Sequence, residues 1–205
     1  INQLGVITMA ANTNAISNVT YDTTSGNRLS TISSVAISTT SGSTFAINYT
    51  AKSAGSAISV DAISVPGYIN LDNTYGSASG AKSSGYLTAS NIATSNTTAS
   101  AGVLVGGILT AGGALTIKGV SASGWAIQNS SAYTLTAGAD LTLVGVGVHG
   151  IYQMGSLIAS SGNIYVSALS TAGSWTYYAQ SSVQKNYIAS GNIDLTAYGL
   201  SLIHI

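Results

Sequence analysis

The chain has 205 residues, and only 5% are Asp, Glu, Lys or Arg, against about 25% in ordinary soluble domains. The acids (Asp22, Asp61, Asp72, Asp140, Asp194) and bases (Arg28, Lys52, Lys82, Lys118, Lys185) balance and are scattered, so there is no basic patch for nucleic-acid phosphates and no acidic patch for cations. Cysteine is absent, which excludes thiol catalysis, cysteinyl metal sites and disulfides, and no run of 18 apolar residues offers a transmembrane helix.

The remaining palette favours strands. Glu is missing, and Lys, Arg and Gln are scarce, so the best helix formers apart from Ala and Leu are lacking. Val, Ile, Thr and Tyr suit a pleated surface. The single proline and positive mean hydropathy exclude a disordered Ser/Thr linker.

Residues 1–44 read as an irregular N-terminal β region or as first coils, with Ile32, Val35 and Ile37 in alternation. From residue 45 to 205 a degenerate Gly-x-Φ-x-Φ motif recurs, where Φ is apolar. In chain order its first Φ positions are Phe45, Ile69, Leu87, Leu115, Leu141, Ile164 and Ile193. Most follow a glycine directly placed for the motif: Gly67, Gly85, Gly113, Gly162 and Gly191. The spacings are 24, 18, 28, 26, 23 and 29 residues. Residues 90–107 are irregular, with a candidate strand at Val103-Leu104-Val105.

Two further apolar segments follow the later anchors. One opens at Gly124, Gly150 and Gly173 and carries Trp125, Tyr152, Trp175, Tyr177 and Tyr178. The other comprises Tyr133-Thr134-Leu135, Leu157-Ile158-Ala159 and Asn186-Tyr187-Ile188. Three short strands per coil, separated by Gly/Ser/Asn turns, predict an all-β fold: a right-handed parallel β-helix (β-solenoid) with coils of roughly 18–29 residues, continuing beyond the chain end. Glycine before each anchor allows a tight corner. Asp140, Asn163 and Asn192 share the position before the first Φ, where stacked Asx side chains can bond one another and the turn.

The phrases Ser190-Gly191-Asn192-Ile193-Asp194-Leu195-Thr196-Ala197 and Leu135-Thr136-Ala137-Gly138-Ala139-Asp140-Leu141-Thr142-Leu143 resemble the repeats of filamentous-haemagglutinin-like proteins. These are large bacterial exoproteins exported by two-partner secretion. The resemblance covers residues 108–200 best, and the chain departs from it in its scarcity of charge. It implies a long β-helix at the bacterial cell surface or outside the cell, serving adhesion, aggregation or toxin presentation.

Residues that could carry chemistry are few. His149 and His204 lie far apart with no evident carboxylate partner, which suits turn or surface histidines better than a metal site. No Gly-x-Ser-x-Gly elbow occurs, and Gly145-Val146-Gly147-Val148 is not followed by the lysine of a phosphate loop. Asp140 and Asp194 occupy comparable coil positions two coils apart, about 10 Å at the usual strand spacing, but a glycosidic cleft would need more acidic and basic groups around them.

The expectation is therefore a structural, non-enzymatic fibre protein without cofactor. Its partners would be copies of itself, end to end or lateral, or host and cell-surface glycans. The alternatives are a self-assembling filament or sheath subunit, or a carbohydrate-binding or ice-binding solenoid. Ice binding would want regular Thr columns, and Thr116 and Thr142 are followed by Tyr165 and Asp194. Trp125, Tyr152, Trp175, Tyr177 and Tyr178 either fill the core or form an outward contact strip.

Overall fold

In the computed structural model, residues 18–23, 35–36, 46–51, 58–60, 62–65, 67–73, 101–172, 176–179 and 185–198 are described. Every regular element among them is a β-strand, and every pairing is parallel. The chain forms a β-solenoid whose coils contribute strands to three faces.

The first face stacks β1 (Asn18–Thr23), β3 (Ala46–Ala51), β6 (Ile69–Asp72), the start of β9 (Leu115–Asn129), the start of β11 (Leu141–Gln153), β13 (Ile164–Ser170) and β16 (Ile193–Tyr198). The second face stacks β4 (Ile58–Val60), β7 (Ala101–Val105), the ends of β9 and β11, and β14 (Tyr177–Tyr178). The third face stacks β2 (Val35–Ala36), β5 (Ile63–Val65), β8 (Leu109–Ala111), β10 (Leu135–Ala137), β12 (Leu157–Ala159) and β15 (Tyr187–Ala189).

Period-two alternation drives each stack. Leu115 and Ile117 point inward and are fully buried, while Thr116 between them is only half-buried. On the third face Leu109-Thr110-Ala111 repeats as Leu135-Thr136-Ala137, with Leu and Ala inward each time. In-register stacking joins these inward positions into continuous columns, such as Ile69, Leu115, Leu141 and Ile164. Each fully buried Leu or Ile is worth about 1.5–3 kcal/mol against exposure, so one unbroken core runs along the solenoid axis. Backbone bonds tie coil to coil, for example Leu115 N–H to Asp140 O at 3.0 Å and Leu141 N–H to Asn163 O at 2.9 Å.

β9 turns sharply between two faces. A straight strand would hold residues 119 and 126 about 23 Å apart. Instead a Cβ placed on Gly119 would collide with the Ala126 carbonyl oxygen. The corner between them is held by Ser121, whose Oγ accepts from the Gly124 N–H at 3.0 Å.

The register corrects four readings of the repeat. Ile69 pairs directly with Leu115, so one coil spans 46 residues rather than 18–29. Gly85 and Leu87 lie outside the described residues. Ile47, not Phe45, pairs with Ile69. A shift of two residues preserves the inward/outward pattern, so alternation alone could not separate 45 from 47. The third-face segments begin at Leu135 and Tyr187, each in line with Leu157, rather than at Tyr133 and Asn186. Finally, Gly124 and Gly150 do not align. Trp125 pairs with His149 and Ile127 with Ile151, because β9 has two more residues than β11 at its corner. From Leu115 on, the first-face anchors keep the expected spacings of 26, 23 and 29 residues.

Candidate functional site

The second face carries the most distinctive surface of the described residues. Tyr178 lies in register above Tyr152, which lies above Gln128 and then Leu104, all on the outer side. Beside this column, Trp125 lies in register under His149. The two columns merge into one aromatic group. The Trp125 and Tyr152 rings stack with centroids 5.0 Å apart and 27° between planes. His149 sits 4.9 Å from Trp125, and Tyr178 sits 5.0 Å from Tyr152 and 6.4 Å from Trp125. Every member is half-buried.

This geometry sets what the strip can do. Rings at these separations attract one another edge to face or offset-stacked, at about 0.5–1.5 kcal/mol per pair beyond area burial. The strip therefore knits three successive coils together. Its members are only half-buried, so part of this aromatic surface remains able to meet a sugar or another protein.

Trp125, Tyr152 and Tyr178 thus come together on the outside. Tyr177 does not join them. Being one residue from Tyr178 it points the opposite way, and it is buried in the core in line with Ile127 and Ile151. Its hydroxyl meets that of Tyr187 at 2.6 Å. Burial pushes the Tyr177 phenol well up from its ordinary value, helped by Tyr187, and burial also raises Tyr187. Trp175 lies outside the described residues. His149 is the member that sequence reasoning missed. The signal was the length of the corner, since the shorter turn of β11 is what aligns it with Trp125.

The corner before the first face carries a second constructed feature. Asp140 Oδ1 accepts from the backbone N–H of Asn163 at 2.8 Å and from its Nδ2 at 3.1 Å. Asn163 Oδ1 then accepts from the Asn192 N–H at 2.9 Å. Side-chain oxygens here take over turn donors that the flat ladder cannot reach. Asp194 does not share this column; it pairs with Tyr165. The anchor glycines next to the column serve close approach rather than backbone freedom. Gly113, Gly162 and Gly191 have φ outside the left-handed region, yet a Cβ on Gly162 would lie 2.5 Å from the Ala139 carbonyl carbon, and one on Gly191 would strike Asn163 Oδ1. Gly113 stacks on Gly67, its N–H donating to the Gly67 carbonyl at 2.8 Å.

Inside the second face two amides are buried, Asn129 and Gln153, paired in register on successive coils. Asn129 clamps the loop that leaves the face: its Nδ2 donates to Tyr133 O at 2.7 Å and its Oδ1 accepts from Tyr133 N–H at 3.1 Å. Gln153 Nε2 donates to Gly155 O at 3.1 Å, while its Oε1 has no partner among the described residues.

Among the described residues no three His, Asp, Glu or Cys side chains converge as a metal site would require, and no helix is long and apolar enough to cross a membrane. No protein-family profile matches the chain, and no curated protein or solved structure matches it significantly.

Proposed function

We propose that this chain is a stretch of a structural, non-enzymatic fibre, secreted or displayed on a bacterial surface, in which a rigid solenoid carries adhesive contacts. The observation that carries this reading is the aromatic strip on the outer side of the second face, set upon a stack of coils with one continuous core. A parallel solenoid resists bending because each coil is bonded to the next along its length. The strip adds surface aromatics where Asp, Glu, Lys and Arg are absent: β7, β14 and the second-face parts of β9 and β11 contain none of them. Such a surface suits an uncharged partner, for which aromatic contact and hydrogen bonding supply the affinity. The repeat phrases at 135–143 and 190–197 support an exoprotein origin by resemblance.

A second reading, association between copies into filaments or sheaths, is favoured by the zero net charge, which leaves little repulsion between chains. Glycan-array and whole-cell binding, together with electron microscopy of purified protein, test both. Adhesion predicts binding that Trp125→Ala abolishes while the β-rich circular dichroism spectrum is kept. Association predicts filaments or bundles that lengthen with concentration. Monodisperse short rods that bind neither glycans nor cells would refute both readings.

A further inference from the structure

We infer that Tyr152 and Tyr178 form a built-in site for oxidative coupling to dityrosine, a covalent tie between neighbouring coils. Three observations lead there. The two phenols occupy the same position on successive coils and are held in register by the parallel pairing of β11 with β14. Their ring centroids are 5.0 Å apart with planes tilted by 53°, so the two phenols are direct neighbours. Both are half-buried on the outer side, within reach of a diffusing oxidant.

The other tyrosine pair shows what this arrangement adds. Tyr177 and Tyr187 also neighbour each other, their hydroxyl oxygens 2.6 Å apart. Tyr177 is also buried, and its surroundings oppose loss of the phenolic proton. The outer pair, half-buried at both residues, has the access that buried Tyr177 lacks. Trp125, stacked on Tyr152 and 6.4 Å from Tyr178, can also be oxidised first and then take its electron from either phenol. A covalent tie has a place in this chain, which has no cysteine and so cannot link its coils through sulfur.

The chemistry balances with a one-electron oxidant such as a haem peroxidase and hydrogen peroxide. Each phenol gives one electron to the oxidant and its hydroxyl proton to solvent, leaving two tyrosyl radicals. One carbon–carbon bond forms between the ring positions next to the oxygens. Each ring then regains aromaticity as the hydrogen on its bonded carbon leaves as a proton and the oxygen takes one up. The protein loses two hydrogen atoms in total, and one peroxide is reduced to two waters. The new loop closes over the chain between residues 152 and 178, which restricts the unfolded ensemble.

The test treats the intact chain, at high dilution, with a haem peroxidase and limiting hydrogen peroxide. The expected product is a monomer lighter by two hydrogen atoms, with dityrosine fluorescence and one cross-linked peptide joining residues 152 and 178. Its urea midpoint should rise above that of the untreated chain. Tyr152→Phe and Tyr178→Phe should each abolish the product while leaving the circular dichroism spectrum unchanged. Tyr165→Phe, which alters an exposed tyrosine on the first face, should leave the yield unchanged. The inference is overturned if the product survives Tyr152→Phe, if coupling joins separate chains, or if Trp125 is consumed with no link between 152 and 178.

Discussion

Replacing Asn129 and Gln153 by leucine should change stability in opposite directions, although the two amides are stacked neighbours in the same buried column. Asn129 makes two bonds to the backbone of Tyr133, and the loop they close holds Ala132 at a φ of 60°. Asn129→Leu removes both bonds and leaves the Tyr133 N–H and carbonyl to find water. At about 1 kcal/mol per bond, with desolvation added and some apolar burial returned, the loss should be about 2 kcal/mol. Gln153 makes one bond, to Gly155, and buries an oxygen that has no partner among the described residues. Gln153→Leu gives up about 1 kcal/mol for the bond but removes a buried acceptor costing about 1–3 kcal/mol. The side chains are similar in size, so the net effect should be a gain of up to about 2 kcal/mol. Urea denaturation followed by circular dichroism gives both midpoints, with an unchanged slope showing that the comparison is valid. If Gln153→Leu destabilised the protein as much as Asn129→Leu, the argument from unsatisfied polar groups would fail.

Further predictions concern other parts of the solenoid. A double-mutant cycle between Trp125→Ala and Tyr152→Ala should give a coupling of about 0.5–1.5 kcal/mol; additivity would show that the stacked pair contributes only buried area. Leu141 is fully buried between Leu115 and Ile164, so Leu141→Ala should cost about 2–5 kcal/mol in the same urea assay. Ala132→Gly should stabilise by about 1 kcal/mol, since a left-handed backbone strains alanine but not glycine. The raised Tyr177 and Tyr187 phenols predict alkaline sensitivity. The unfolded chain loses these protons near the ordinary tyrosine value of about 10, the folded chain only above it. Their stabilisation is therefore complete below that pH and disappears as pH climbs through the folded values. Tyr177→Phe with Tyr187→Phe should flatten the fall of the urea midpoint above about pH 10.

Much of the fold was legible because its signal is local. Alternation marks Leu115-Thr116-Ile117 and Leu141-Thr142-Leu143 as strands with one inner side, and their 26-residue spacing follows from identical placement in successive coils. Reading was weaker wherever register decides. Nothing in the motif at Gly113 announces its partner, yet Leu115 pairs with Ile69 across a coil of 46 residues. The aromatic strip was half legible. Its residues stood out, but which of them are neighbours depends on the two-residue difference at the corners of β9 and β11. That difference sets His149 against Trp125, while in-register pairing with Ile151 and Tyr152 puts Tyr177 inside and Tyr178 outside.

Sequence by itself therefore determined the class of structure: a charge-poor, cysteine-free chain of alternating short strands, repeated at coil-length spacing, suits stacked β-coils. It also determined the Asx corner, where Asp140, Asn163 and Asn192 recur at one motif position and bond in series. Tertiary structure alone decided which coils are neighbours and which aromatics share a face. The physical reason is that β pairing is non-local. Alternation with a period of two fixes which residues can share a side, but shifts of two residues satisfy it equally, and only packing between coils selects one.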